Sequence, residues 1–379
     1  MNKSAYLFFL CICICTAVCS AQSEIITITV QNPADFDRET ELVELPMEAL
    51  KERMKLTGAQ VYEVKNSRGT VIPSQYTSDG KLIFPSGMKA KETTVFTISA
   101  GNKQTFKAMT YGRFVEERKD DFAWENDRVA FRIYGKALIP TDGPSNGLDI
   151  WYKRTGDLVI NKWYEADLTG RNSYHNDNGE GLDDYKVGRT LGAGAMAPYA
   201  GNKLWLNENF IASEMLDNGP LRTTFKLTYK DILVDGKHFP ESRTFSIDAG
   251  SQLTKVTQEY GTTEAIPVAA GVIKRSADDP VVIAPDRTYI LYPEPATDKA
   301  EGIYIGLVFP EGAERILMDA GHTLVVTTYT PDTPLTYYAG YGWKKFGFEN
   351  ETQFRIYLEN FVKSRKQPLI IRKITHTYV

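Results

Sequence analysis

A histidine set among carboxylates and glycines is the part of this sequence best equipped for chemistry. His175 lies in the stretch Tyr174 to Tyr199, YHNDNGEGLDDYKVGRTLGAGAMAPY, close to Asp177, Glu180, Asp183 and Asp184. An imidazole titrates near neutrality and can take or give a proton, and a carboxylate beside it holds its tautomer. The other histidines, His238, His322 and His376, have no such company. Residues 175–184 show neither the 3.6-residue period of a helix nor the alternation of a strand, and their Asn, Asp and Gly favour Asx-turns, so a functional loop is expected. The plainer reading is a histidine that only orders an Asn/Asp loop.

The carboxylates admit three uses: general acid and base, acceptors for sugar hydroxyls, or metal ligands. Asp183 and Asp184 are adjacent, so on extended backbone they point to opposite faces and cannot both attend one bond. An EF-hand register is absent, because Tyr174 stands where its first Asp belongs. A looser calcium site from Asp177, Asn178 and Asp183 remains open, and no cofactor is required. Flat faces for a sugar ring are offered by Trp151, by Trp163-Tyr164 and by the run Tyr337 to Trp343, in which Tyr341 and Trp343, flanked by Gly340 and Gly342, are the pair expected to be exposed. Core packing is the competing use of each ring. Gly192-Ala193-Gly194 is no dinucleotide fingerprint, since the βαβ context is missing.

The elements that must position these groups are strands. The chain of 379 residues has 21 Tyr, 18 Phe and 5 Trp with frequent Thr, Val and Ile, broken by Gly, Asn and Asp clusters. Expected strands include 25–30, 60–65, 70–76, 81–84, 93–99, 107–116, 128–134, 148–153, 221–229, 238–247, 252–260, 302–309 and 323–330. In 221–229, LRTTFKLTY, Phe225 and Leu227 fall on one face and Arg222, Thr224 and Lys226 on the other, which is a solvated face or, on the concave side of a large sheet, a saccharide-binding row. A short helix is expected from Met47 after Pro46. A longer one is expected from Asn350, with Phe354, Tyr357, Leu358, Phe361 and Val362 as its apolar stripe, Gln353 closing a capping box, and Pro368 beyond its end. The residues after Pro368 read as a closing strand.

Met1 to Ala21 reads as a secretory signal peptide, with Lys3 in front, an apolar run to Val18 shorter than the roughly 20 residues that span a bilayer, and Cys19-Ser20-Ala21 as cleavage signal. A competing reading makes Cys19 a lipid anchor, although Val18 is bulky where that signal wants a small residue. Export places the protein in the periplasm or outside the cell. Cys11, Cys13, Cys15 and Cys19 are all in this stretch, so the mature chain has no thiol for catalysis or zinc. The balance of 44 basic to 48 acidic residues, without a basic run, argues against nucleic acid as a partner. The expected organisation is a signal at 1–21, an N-terminal β-sandwich layer at 22–105, and a large antiparallel domain at 106–379 that carries the site.

Several motifs in fixed order carry a resemblance: Asp121-Phe122-Ala123-Trp124-Glu125-Asn126-Asp127, Tyr174-His175 leading to Gly179-Glu180-Gly181-Leu182-Asp183, Gly219-Pro220-Leu221-Arg222, and Asp248-Ala249-Gly250-Ser251. Together they resemble the bacterial secreted domain of unknown function 4861 family, found in polysaccharide-utilisation clusters near unsaturated glucuronyl hydrolases. The pattern is also similar to the β-supersandwich of galactose mutarotases and polysaccharide lyase central domains, and such likeness does not fix function. The resemblance implies an all-β, mainly antiparallel, carbohydrate-related protein acting on pectin-like material. On that footing Arg189 and Arg222 are expected to clasp a uronate carboxylate. His175 would take the proton beside it, with Tyr174 or Tyr185 protonating the leaving oxygen; hydrolysis would instead need two carboxylates, with Asp183 and Glu180 as the candidates. These groups are expected in one cleft, with an aromatic of Tyr337 to Trp343 on its rim. The alternatives are a non-catalytic saccharide-binding protein and a sugar epimerase or mutarotase.

Overall fold

Alternation decides the first sheet. In the strand Glu24–Gln31 every second side chain, Ile26, Ile28 and Val30, is fully buried, while the intervening residues are not. A computed structural model describes residues 24–38, 40–319 and 321–378. The signal-peptide stretch and its four cysteines lie outside the described residues. Glu24–Gln31 is flanked by Thr93–Gly101, which pairs in turn with Val61–Lys65, and on its other side by Ile370–Tyr378 from the far end of the chain. A three-stranded sheet, Leu42–Pro46, Lys81–Pro85 and Gln75–Thr77, packs against this one around Val43, Leu45, Phe84 and Phe96. The sandwich formed by the first hundred residues is thus completed by the last nine-residue strand.

The larger part is built from three antiparallel sheets around a single apolar core. Eight strands form the widest sheet, in the order Ala212–Asn218, Arg222–Thr228, Glu241–Asp248, Leu253–Tyr260, Leu335–Trp343, Ile303–Val308, Tyr289–Glu294 and Val282–Ile283. Phe225, Phe245, Val256 and Tyr337 point from it into the core, where they meet Phe122 and Trp124 of one five-stranded sheet and Met196, Val268 and Val325 of the other. The fold is all-β and mainly antiparallel, with one long C-terminal helix. That helix, Glu351–Lys366, starts at Asn350, whose side chain accepts from the Gln353 amide 3.1 Å away. Its Phe354, Leu358 and Val362 cover the outer face of the eight-stranded sheet beside Tyr304 and Leu291. The short helix after Pro46 is also present, as Met47–Lys51.

A second helix, Ile160–Leu168, has no counterpart in the sequence reading. It lies over the outer face of the sheet ordered Gly181–Leu182, Asp149–Lys153, Ala130–Ile133, Asp121–Asn126, Thr110–Val115. Among the described residues no helix is long and apolar enough to cross a membrane.

Candidate functional site

The outer face of that five-stranded sheet carries charge where a sheet face covered by a helix ordinarily carries apolar residues. Phe122, Trp124, Phe131 and Ile150 go to the core, and alternation then sends Asp121, Glu125, Arg132, Asp149 and Lys153 to the other side. All five are at most 3 % exposed, because Trp163 and Tyr164 of the helix and Tyr174 of the loop close over them and pack on Trp151. Charges this deeply buried must be paired. Lys153 Nζ lies 2.7 Å from Glu125 Oε2, and Glu125 also accepts from the Val159 and Ile160 amides, so its charge sits at the helix N-terminus.

Arg132 is the hub of the other group. Register sets it directly across from Asp149. Its Nη2 lies 2.6 Å from Asp149 Oδ2 and 2.8 Å from Asp183 Oδ2, its Nε is 3.9 Å from Asp121, and Tyr134 donates a further bond to Asp149. One guanidinium thus faces three carboxylates. Burial pushes the Asp149 carboxyl up to about 7 against the pull of Arg132, and the Asp121 carboxyl up to about 6 against Arg132 and Arg118. In both carboxyls the cost of burial outweighs the attraction of the guanidinium.

His175 stands above this cluster, with its side chain 47 % exposed. Its Nδ1 is 3.0 Å from the Asp183 carbonyl oxygen and 3.5 Å from Asp183 Oδ2. A carbonyl can only accept, so Nδ1 carries the hydrogen and Nε2 presents a lone pair. The loop is held by the Asp183 amide donating to the Tyr174 carbonyl and by Gly181, whose φ of 119° and approach to Tyr152 leave no room for a side chain. Lys299 donates to the His175 carbonyl at 2.9 Å, and among the described residues its ammonium pairs with no carboxylate. A histidine whose Nδ1–H is held by a backbone carbonyl, with a carboxylate 3.5 Å away, can remove a proton from a carbon beside an anionic group.

The structure brings together only some of the residues expected to share a site. His175, Tyr174, Asp183, Glu180 and Trp151 lie in or under the loop, but Tyr174 is buried with its hydroxyl taken by Arg118 Nε, and Tyr185 is 3 % exposed beneath the Arg275 guanidinium. Neither phenol meets a substrate at the surface, which corrects their expected role as acid. Glu180 is held by Lys162 at 2.7 Å. Asp177 accepts from Arg154 and from the Gly179 and Gly181 amides; burial works against its ionisation, yet these donors hold its carboxyl below the usual range. Asn178 donates to the Asn176 carbonyl and Asp183 faces Arg132, so the three suggested calcium ligands turn to different partners. Among the described residues no His, Asp and Glu group suited to a metal occurs.

The arginines and the aromatic pair lie elsewhere. Arg189 caps the carbonyls of Pro144, Leu206 and Asn207, and Arg222 is locked to Asp248 at 2.5 Å and to Glu44 at 2.6 Å. Tyr341 and Trp343 are each 1 % exposed, against the expectation of exposure. The Tyr341 hydroxyl wedges between two strands, donating to the Trp151 carbonyl and accepting from the Ala130 and Lys153 amides. Gly340 and Gly342 leave space for protein: a Cβ at Gly340 would meet Gln252 O at 2.1 Å, and one at Gly342 would meet Phe354 at 2.5 Å. Trp151 is wholly buried, stacked between Trp163 and Tyr174. The residues the sequence reading missed are Arg132, Asp149 and Asp121, whose two-residue alternation of charge across adjacent strands was the available signal, and Lys299.

A separate cleft of about 920 Å³ opens between the N-terminal sandwich, the Glu351–Lys366 helix and the eight-stranded sheet, whose Arg222, Thr224, Thr244, Ser246, Lys255 and Thr257 form its floor. Its lining includes no residue of the His175 loop.

A family model described as "Domain of unknown function (DUF4861)" matches residues 30–371. A relative named "Uncharacterized protein P7" from Formosa agariphila is 26 % identical over 397 residues, covering 97 % of this chain and 99 % of that protein. Two solved structures from Enterococcus faecalis are similar in shape at 9 % identity: a protein in the glycosyl hydrolase family 38, with a TM-score of 0.47 over 95 % of this chain and 48 % of its own, and an alpha-mannosidase, with 0.49 over 94 % and 46 %. This chain spans about half the length of those two structures.

Proposed function

The chain belongs to the DUF4861 family, and from that premise we propose an exported enzyme that acts on uronate-bearing, pectin-like saccharides by proton transfer at His175. The observation that carries this reading is the fixed tautomer of His175: Nδ1–H is tied to Asp183, and Nε2 is left as a base at the protein surface. In the eliminating reaction Nε2 takes the proton from the carbon next to the uronate carboxylate, the electrons of that bond form a carbon–carbon double bond, and the bond to the neighbouring glycosidic oxygen breaks. The leaving oxygen takes its proton from the imidazolium or from water. Lys299 offsets the charge that builds on the carboxylate, the part first assigned to Arg189 or Arg222. Asp183, held by Arg132, stabilises the imidazolium.

Elimination suits this geometry better than hydrolysis. Hydrolysis of a glycoside calls for two carboxylates on opposite sides of the bond, about 5–9 Å apart. Here Asp121, Asp149 and Asp183 all gather round one guanidinium beneath the loop. The test is turnover of a panel of saturated oligouronides, read by absorbance of the unsaturated product. Activity in the wild-type chain and its loss in His175→Ala supports the reading; a panel untouched by the wild-type chain sinks it.

A further inference from the structure

The cleft at Arg222 has the makings of a second saccharide site, distinct from the His175 loop. Its floor is a set of cross-strand rows on the outer face of the eight-stranded sheet. Register places Thr224 opposite Ser246, Ser246 opposite Lys255, and Lys255 opposite Tyr338. A second row follows two residues along, with Lys226 opposite Thr244, Thr244 opposite Thr257, and Thr257 opposite Thr336. With strands about 4.8 Å apart, four strands lay a band of hydroxyls about 14 Å across the cleft. Hydroxyls of this kind donate and accept and can follow the hydroxyls of a sugar chain. Tyr338, Tyr357 and Phe361 are partly exposed along one wall and supply apolar ring faces.

Charge narrows the class of saccharide. Arg222 is already engaged by Asp248 and Glu44, and Lys81 by Glu44 and Asp79. Arg365 pairs with Glu41, and so does Arg38. The Lys255 ammonium, on the lining of the cleft, pairs with no carboxylate and makes no side-chain hydrogen bond among the described residues. Burial, with Arg222 nearby, holds its ammonium below the usual lysine range. An unpaired cation on a floor of hydroxyls is a place for an anion carried by a polyhydroxylated chain.

We propose that the cleft binds a second stretch of acidic oligosaccharide, with the Lys255 ammonium on a uronate carboxylate and Thr224, Ser246, Thr244 and Thr257 on the ring hydroxyls. This rests on the proposed function for the class of saccharide, but not for the catalytic role of His175.

The test uses saturated oligogalacturonates of increasing length and titration calorimetry, in a His175→Ala background so that the probe is not consumed. Lys255→Met touches no partner and leaves the melting temperature in place. It is expected to weaken binding of the longer oligomers about tenfold or more, the scale of a lost charge-assisted hydrogen bond. Ser246→Ala is expected to give a smaller loss in the same direction. Affinity unchanged by Lys255→Met but lost on Lys299→Met would place all binding at the loop and overturn the second site. Absence of any binding to the His175→Ala chain would overturn it equally. If binding depends on Lys255 while the wild-type chain turns nothing over, the cleft stands and only the catalytic reading falls.

Discussion

Two sheet faces of this molecule carry charge, and they handle it in opposite ways. On the outer face of the five-stranded sheet Asp121, Glu125, Arg132, Asp149 and Lys153 are sealed under a helix and a loop, at most 3 % exposed, with His175 half-exposed above them. On the outer face of the eight-stranded sheet Arg222 and Lys255 sit among threonines and serines in a cleft open to solvent. The same two-residue alternation produced both. What differs is the cover: Trp163, Tyr164 and Tyr174 exclude water from the first, whereas the N-terminal sandwich stands off from the second. A sealed cluster fixes geometry and shifts proton affinities; an open floor, where Thr224 bonds Ser246 and Thr257 bonds Thr336, keeps these hydroxyls and the Lys255 ammonium within reach of a ligand.

The largest effect that would break this comparison is at the two arginines. Arg132→Met leaves Asp149 and Asp183 buried without their cation and is expected to cost about 3–5 kcal/mol in chemical denaturation. Arg222→Met leaves Asp248 and Glu44, each about one-third exposed, with access to water, and is expected to cost no more than about 2 kcal/mol. Equal losses would mean that the two faces are not different in kind. Next in size, Tyr341→Phe should cost about 1–3 kcal/mol by leaving the Trp151 carbonyl and two amides unpaired inside the sheet. A neutral result there would show that the hydroxyl is not a structural wedge.

pH sharpens the contrast further. The Asp149 and Asp121 carboxyls are raised in the folded state, so between their ordinary value near 3.8 and about 7 the native chain holds protons that the unfolded chain has lost. Their contribution is complete at the acid end and fades as pH rises through that window. The melting temperature of Asp121→Asn should therefore fall less steeply over the window than that of the wild type. Identical slopes would place the proton elsewhere. The smallest effect is expected at the far end of the molecule, where Asn350→Ala removes the cap of the C-terminal helix for about 1 kcal/mol, away from both faces.

Much of the fold was legible because half-buried strands alternate. Glu24–Gln31 and Arg222–Thr228 bury the faces that their spacing indicates, and the Asn350 cap with the stripe from Phe354 to Val362 marks the helix. Ile160–Leu168 was not legible, since a nine-residue helix shows little periodicity and its Trp163 and Tyr164 read as sugar platforms. The loop was found through His175 and Asp183, whose neighbourhood in sequence is also a neighbourhood in space. Arg132 and Asp149 were missed because a charged residue in an alternating strand reads as solvated, and only the cover from a distant helix makes it buried. Arg222 went to the wrong role for the reverse reason: its partners Glu44 and Asp248 come from segments that sequence alone does not bring together. The glycines around Tyr341 signal close packing as readily as an accessible ring.

The central claim, that His175 Nε2 is a base backed by Asp183, is tested most directly by single-turnover elimination from a saturated oligouronide with the wild type and with His175→Ala and Asp183→Asn. The expected result is a loss of about 10²–10⁴ in rate for His175→Ala with saccharide affinity preserved, and a smaller rate loss for Asp183→Asn. An oligouronide turned over as fast by His175→Ala as by the wild-type chain would contradict the claim and leave the loop a cover for buried charge.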